Sequence, residues 1–103
     1  VNVLPENAIL AVDMNKVRKT FKNREILRQA MQAETDATSF YEQLADSTDD
    51  PAMKEILLDV AKEEKTHFGE FLSLLLAIDE EQMTELKAGT EEVKQKTAKI
   101  RKK

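Results

Sequence analysis

The stretch Ser47-Thr48-Asp49-Asp50-Pro51 limits the fold more than any other part of this 103-residue chain. It separates two long segments whose apolar residues recur every three or four positions. The first runs Leu27, Ala30, Ala37, Tyr41, Leu44, and the second Met53, Leu57, Val60, Phe71, Leu74, Ile78. That spacing marks one face of an α-helix packed against another. The break is too short for anything but a tight reversal, so the two helices are predicted to form an antiparallel hairpin. Asn23 reads as the N-cap of the first helix, which would end near Ala45 or Asp46. Asp50 reads as the N-cap of the second, with Pro51 at the first helical position, where a missing N–H costs nothing. The second helix would reach Leu76 to Ile78. Asp79-Glu80-Glu81-Gln82 then resembles a capping box that opens a short third helix. Gly89 would close that helix, and Thr90-Glu91-Glu92 would open a last one leading into a basic tail.

Two glycines and two prolines among abundant Ala, Leu, Glu and Lys fit an all-α fold. The expected organisation is an N-terminal segment over residues 1–20, followed by one helical unit over 21–103. In the first segment Pro5 opens a short pattern carrying Ile9, Leu10, Val12 and Val17. A hairpin alone cannot bury its whole apolar face, so it reads as half of a four-helix bundle completed by dimerisation.

The chain contains no cysteine. Disulfides, zinc-thiolate sites and iron–sulfur clusters are therefore excluded from these residues, and a reducing cytoplasmic setting fits. No apolar run approaches a membrane span, and Pro5, Glu6 and Asn7 interrupt any leader-like pattern near the start. Residues 34–64 carry ten acids and two bases, whereas the last ten residues carry six bases and no acid. An acidic middle suits cation capture and argues against nucleic acid, which wants a basic groove with stacking aromatics. The basic tail reads as a solvated terminus.

Three ionisable residues interrupt the apolar stripes: Glu34 on the first helix, and Glu64 and His67 on the second. Carboxylates on a packing face cost several kcal/mol each unless something neutralises them. Glu64 and His67 stand three apart and share a helix face. Counting from the middle of the break, the mirror position of Glu34 is residue 65, between Glu64 and His67. At about 1.5 Å per residue, all three sit at one height, about 23 Å from the turn. A metal ion is the compensator that fits, and oxygen with imidazole ligands suits iron or manganese better than zinc. One histidine per chain makes this half of a carboxylate-bridged di-metal site. Two copies offer four carboxylates, whose charge balances two divalent ions, so a two-fold dimer is the expected unit. Tyr41, two turns beyond Glu34, is placed to hydrogen-bond a ligand carboxylate or simply to pack in the core. Asp36 and Asp59 read as solvated residues or as guides for incoming cations. Phe40, Phe68 and Phe71 read as core or interface residues.

The segments Ala33-Glu34-Thr35-Asp36-Ala37, Phe40 to Asp46, Ile56 to His67, Glu70-Phe71 and Asp79 to Glu92 together resemble the encapsulated ferritins. These are ferritin-like cargo proteins of encapsulin nanocompartments, and the versions fused ahead of an archaeal encapsulin shell protein are especially similar. The resemblance implies a two-helix subunit that completes a di-iron ferroxidase centre by dimerising. It implies Glu34, Glu64 and His67 as the ligands from each chain, a decameric ring, and mineral storage by a surrounding shell. Some relatives carry extra glutamates beside the first ligand; Ala33 and Asp36 stand there in this chain, and no clear docking peptide follows. Two rival readings remain open on the residues: a rubrerythrin-like di-iron peroxide reductase drawing on an external electron donor, and a non-enzymatic helical assembly module.

Overall fold

A computed structural model describes residues 21–101, so the readings placed on residues 1–20 and on Lys102 and Lys103 lie outside it. The described residues form three helices and no strand: α1 (Lys22–Ser47), α2 (Pro51–Ile78) and α3 (Glu80–Arg101). Among the described residues, the antiparallel pairing of α1 with α2 supplies nearly all the packing between helices, and α3 neighbours α2 alone.

Local chemistry accounts for most of the boundaries. The Asp50 carboxylate accepts hydrogen bonds from the Ala52 and Met53 N–H groups at 2.9 and 3.3 Å, and Pro51 fills the first turn, as the sequence implied. The start of α1 differs from expectation. Asn23 lies inside the first turn; Phe21 holds the cap position without a side-chain cap bond. The Arg24 guanidinium lies over the Phe21 ring, 5.1 Å from its centroid, and Glu25 pairs with Arg28 at 2.6 Å. A carboxylate in the first turn also complements the positive end of the helix dipole. α1 continues to Ser47, whose hydroxyl bonds back to the Leu44 carbonyl at 2.8 Å.

Asp79 alone separates α2 from α3. Its carboxylate accepts from the Gln82 N–H at 3.1 Å, and its second oxygen lies 3.4 Å from Arg28 on α1. The reciprocal half of the capping box is not formed, because the Asp79 N–H already donates to the Leu75 carbonyl at 2.9 Å. Asp79 is buried, and its pair with Arg28 ties the root of α3 to the hairpin.

Gly89 does not end a helix. α3 runs unbroken from Glu80 to Arg101 in place of two short helices, and no described glycine has positive φ. Glycine stops a helix only when it turns left-handed; otherwise it costs about 1 kcal/mol against alanine. Glu91, Glu92, Lys94, Gln95 and Lys96 beyond it are helix formers, and the Thr90 and Thr97 hydroxyls bond back to Leu86 and Val93 within the helix. Acids at its start and bases at its end match its dipole.

The hairpin interior is small. Ala37, Ala45, Ala61 and Leu75 are buried, and among the described residues no large side chain is fully shut away. Part of the seam differs from the sequence reading: Ala37 of the expected stripe is buried, but Ala45 and Leu75 point inward where Leu44 and Leu74, 38% and 57% exposed, were expected. One residue is about 100° of helix rotation, enough to move a side chain from the seam to its flank.

Both aspartate caps are testable by urea unfolding followed by circular dichroism. Asp50→Ala is expected to cost about 1 kcal/mol and Asp79→Ala about 2 kcal/mol, because Asp79 combines a cap with burial and a link to α1. The reverse ranking would remove Asp79 from its role as the joint.

Candidate metal centre

Glu34 sits mid-way along α1 on the face that meets α2, and Glu64 and His67 sit one turn apart on α2. The hairpin brings the three together. One donor atom from each lies within 4.8 Å of the other two. His67 Nδ1 is 3.4 Å from Glu34 Oε2 and 3.5 Å from Glu64 Oε1. Glu34 and Glu64 are 5% and 8% exposed, whereas the His67 side chain is 44% exposed. The carboxylates are thus sunk between the helices, and the imidazole stands at the rim.

The electrostatics are unfavourable as they stand. Glu34 Oε2 and Glu64 Oε2 are shut from solvent without a hydrogen-bond partner; His67 is near Glu34 Oε2 but not aligned to donate to it. Burial, and next the adjacent Glu64 carboxylate, push the Glu34 pKa above the ordinary glutamate value, while His67 pulls it down. Buried oxygens that lack a donor call for a cation. Two oxygens and one imidazole nitrogen form a donor set that iron accepts.

The neighbourhood is asymmetric. On the His67 side, Asn23, Ile26, Leu27, Leu74, Ala77 and Ile78 line a shallow groove of about 270 Å³. Ile26, Leu44, Met53, Ile56, Leu74 and Ile78 are all exposed, and helical spacing puts them on this same flank. The opposite flank is polar: Thr35, Thr38, Ser39, Lys65 and Phe68 line a second groove, and Lys65 pairs with Glu42 at 3.1 Å. That cross-helix pair escaped the sequence reading, since its members belong to neither apolar stripe. Tyr41 is half-buried and packs edge-on against Phe40, their centroids 5.3 Å apart. Asp59 is exposed. Asp36 is half-buried, with one oxygen closed off and unpartnered.

A rubrerythrin family model matches residues 25–103. Over 73 residues the chain is 59% identical to a ferritin-like–encapsulin shell fusion protein of Pyrococcus furiosus, a match covering 71% of this chain and 21% of that protein. The chain therefore spans about a fifth of the length of that curated relative. The crystal structure of an encapsulated ferritin domain from Pyrococcus furiosus is similar with a TM-score of 0.76 and 46% identity. It covers 93% of this chain and 95% of the other.

The chain belongs to the rubrerythrin family and is similar within it to the encapsulated ferritins. Its fold is ferritin-like and its chemistry is that of an iron-binding family. The donor set and the two orphaned carboxylate oxygens fit that chemistry on physical grounds alone.

A pH dependence follows for the metal-free protein. A carboxyl whose folded pKa is raised contributes stability below its unfolded pKa and loses it as pH rises through the folded value. In chelator, Glu34→Gln is therefore expected to be more stable than wild type at neutral pH, with the gap closing as pH falls through the raised Glu34 value and gone below the ordinary glutamate range. A wild-type advantage at neutral pH under metal-free conditions would contradict the unpaired-charge description.

Proposed function

We propose that this protein is a ferroxidase whose site is assembled from two hairpins. The observation that carries this reading is the placement of two sunken, partnerless carboxylate oxygens and a half-exposed imidazole on the flank where the hairpin leaves its apolar residues uncovered. A second copy laid on that flank covers Ile56, Leu74 and Ile78 and adds its own Glu34, Glu64 and His67. Burying such side chains is favourable by about 25 cal/mol per Å² of apolar surface. The paired hairpins make a four-helix bundle around six ligands.

Fe(II) is the substrate, and it supplies the electron that passes to dioxygen or peroxide. The chain does the rest. Glu34 and Glu64 contribute four negative charges per pair of hairpins, which balance two Fe(II) ions and favour the more highly charged ferric product. His67 adds a neutral nitrogen from the rim on each side. The apolar flanks exclude bulk water, which strengthens every charge interaction inside. Tyr41 would steady a ligand carboxylate from two turns away. A hairpin of this size encloses no storage cavity, so oxidised iron passes to a mineral elsewhere. The fusion of the Pyrococcus furiosus relative to an encapsulin shell supports an encapsulin nanocompartment as that setting, with the paired hairpins grouped into a larger ring. The ferritin-like unit on this reading is residues 21–103.

The family match also favours a second reading, a rubrerythrin-like peroxide reductase using the same ligands. It predicts steady peroxide consumption driven by a reductant, with no net iron deposition. The ferroxidase reading predicts deposition.

Anaerobic Fe(II) titration followed by oxygen tests the proposal. Wild type is expected to take up two irons per pair of chains and oxidise them rapidly. Glu34→Ala and His67→Ala should each lose saturable binding and slow oxidation by about tenfold or more, since even groups that only orient ligands have effects of that size. Equal rates in the three proteins would defeat the assignment. Leu74→Glu removes no ligand but opposes pairing of the apolar flanks, so its oxidation rate and its mass in solution should fall together. A full rate from a monomeric Leu74→Glu protein would locate the whole site within one hairpin.

A further inference from the structure

Among the described residues α3 meets only α2, and none of its own residues is buried. One face keeps a seven-residue pattern, in which Met83, Thr90 and Thr97 interleave with Leu86, Val93 and Ile100. Met83, Leu86, Val93 and Ile100 are all exposed. Leu86, Gly89, Thr90 and Val93 border a shallow concavity of about 630 Å³ on this helix. Four residues at that spacing are the corners of the hole into which a packed helix inserts one side chain. A Cβ added at Gly89 would meet nothing within 4 Å, so no described residue fills the hole.

The first part of the chain carries a matching pattern. Leu10, Met14 and Val17 recur at the spacing of one helix face. Residues 1–13 hold two acids, Glu6 and Asp13, and no base, whereas residues 14–20 hold three bases and no acid. α3 is divided in the same order: residues 80–92 carry five acids and one lysine, and residues 93–101 four bases and no acid. Laid antiparallel, each acidic half meets a basic half; laid parallel, like charges meet. The connection demands the antiparallel direction. Asn23 and Ile26 of α1 share a groove with Ala77 and Ile78, and Arg28 reaches Asp79 at 3.4 Å. The chain therefore arrives at α1 beside the point from which α3 departs.

We propose that residues 6–18 dock as an amphipathic helix, antiparallel, on the apolar face of α3 of the same chain. In the register that aligns the apolar positions, Val17 meets Met83, Met14 meets Leu86, and Leu10 enters the hole at Gly89 and Thr90. The same register sets Arg18 beside Glu80 and Glu6 beside Lys96, and brings no like charges together along the two flanks. It also puts Phe21 level with Asp79, where the fold independently places the start of α1. Glycine lets the docked segment approach the α3 backbone closely. Only residues 19–21 join the segment to α1, so it is held at high effective concentration against its own α3, an advantage that another copy lacks. The inference rests on α3 and the first residues alone, and it holds whichever reaction the metal centre performs.

The chain has no cysteine, so two introduced thiols report on this pairing alone. Asp13 and Gly89 stand opposite each other at one flank of the docked segment. Val12 lies about 100° further round, on its outer side. In the whole protein, Asp13→Cys with Gly89→Cys should be joined by a short bis-maleimide about tenfold faster than Val12→Cys with Gly89→Cys. The denatured product should have the mass of one chain. Both proteins share Gly89→Cys, so any effect of that change on folding cancels from the comparison. Equal rates for the two pairs would overturn the proposal. So would links that join two chains, which would give the face to another copy. Charge reversal tests the register. Glu6→Lys or Lys96→Glu alone should slow the first link by about two- to fivefold, as expected for an exposed ion pair, and the two together should restore it. Unchanged rates in both single variants would overturn the register, and the proposal with it.

Discussion

Two carboxylates held between two helices, each with an oxygen that no donor reaches, are the constraint on which the rest of the molecule turns. Glu34 and Glu64 repel one another, and burial weakens the solvent screening that would soften the repulsion. A chain selected only for stability would fill these positions with leucine or alanine, as it does at Ala37, Ala61 and Leu75 on the same seam. Retaining the charges is intelligible if folding keeps the hairpin ready for a cation that offsets them. Stability and function are then opposed in the empty protein and aligned in the loaded one.

The interior around the site is correspondingly thin. Four small or medium side chains make up its buried apolar part, and the larger ones stay at the flank. Alanines allow α1 and α2 to approach closely, which brings the side chains of Glu34 and Glu64 within reach of each other. The same close approach leaves no room inside for Leu44, Leu74, Ile56 or Ile78. These residues gather on the flank that also bears His67, so incomplete packing and an incomplete ligand set occur at one place. A single physical event, pairing of two such flanks, would resolve both.

The joint at Asp79 is the other place where several demands meet. One carboxylate caps α3 and receives Arg28 from α1, while its own N–H closes α2. A one-residue connection with every polar group engaged has little freedom. The direction in which α3 leaves the hairpin is therefore fixed by this joint.

Counting residues across the Ser47–Pro51 break was enough to foresee the antiparallel hairpin and the common height of Glu34, Glu64 and His67, because helix rise is nearly constant and the turn is short. Asp50 and Asp79 were legible as caps for a similar reason: a cap acts over three residues. Rotation about the helix axis was not legible. The stripe reading favoured Leu44 and Leu74, yet close packing selected Ala45 and Leu75, since which of two adjacent side chains points inward depends on how near the partner helix lies. Nor was the fate of Gly89, because glycine ends a helix only where the following chain turns away. The Arg28–Asp79 and Lys65–Glu42 pairs likewise required the fold, as each joins residues whose proximity exists only after α1 and α2 have docked. Local propensity and spacing set the elements and their lengths; the tertiary structure decided which faces met, and with that which charges were left without partners.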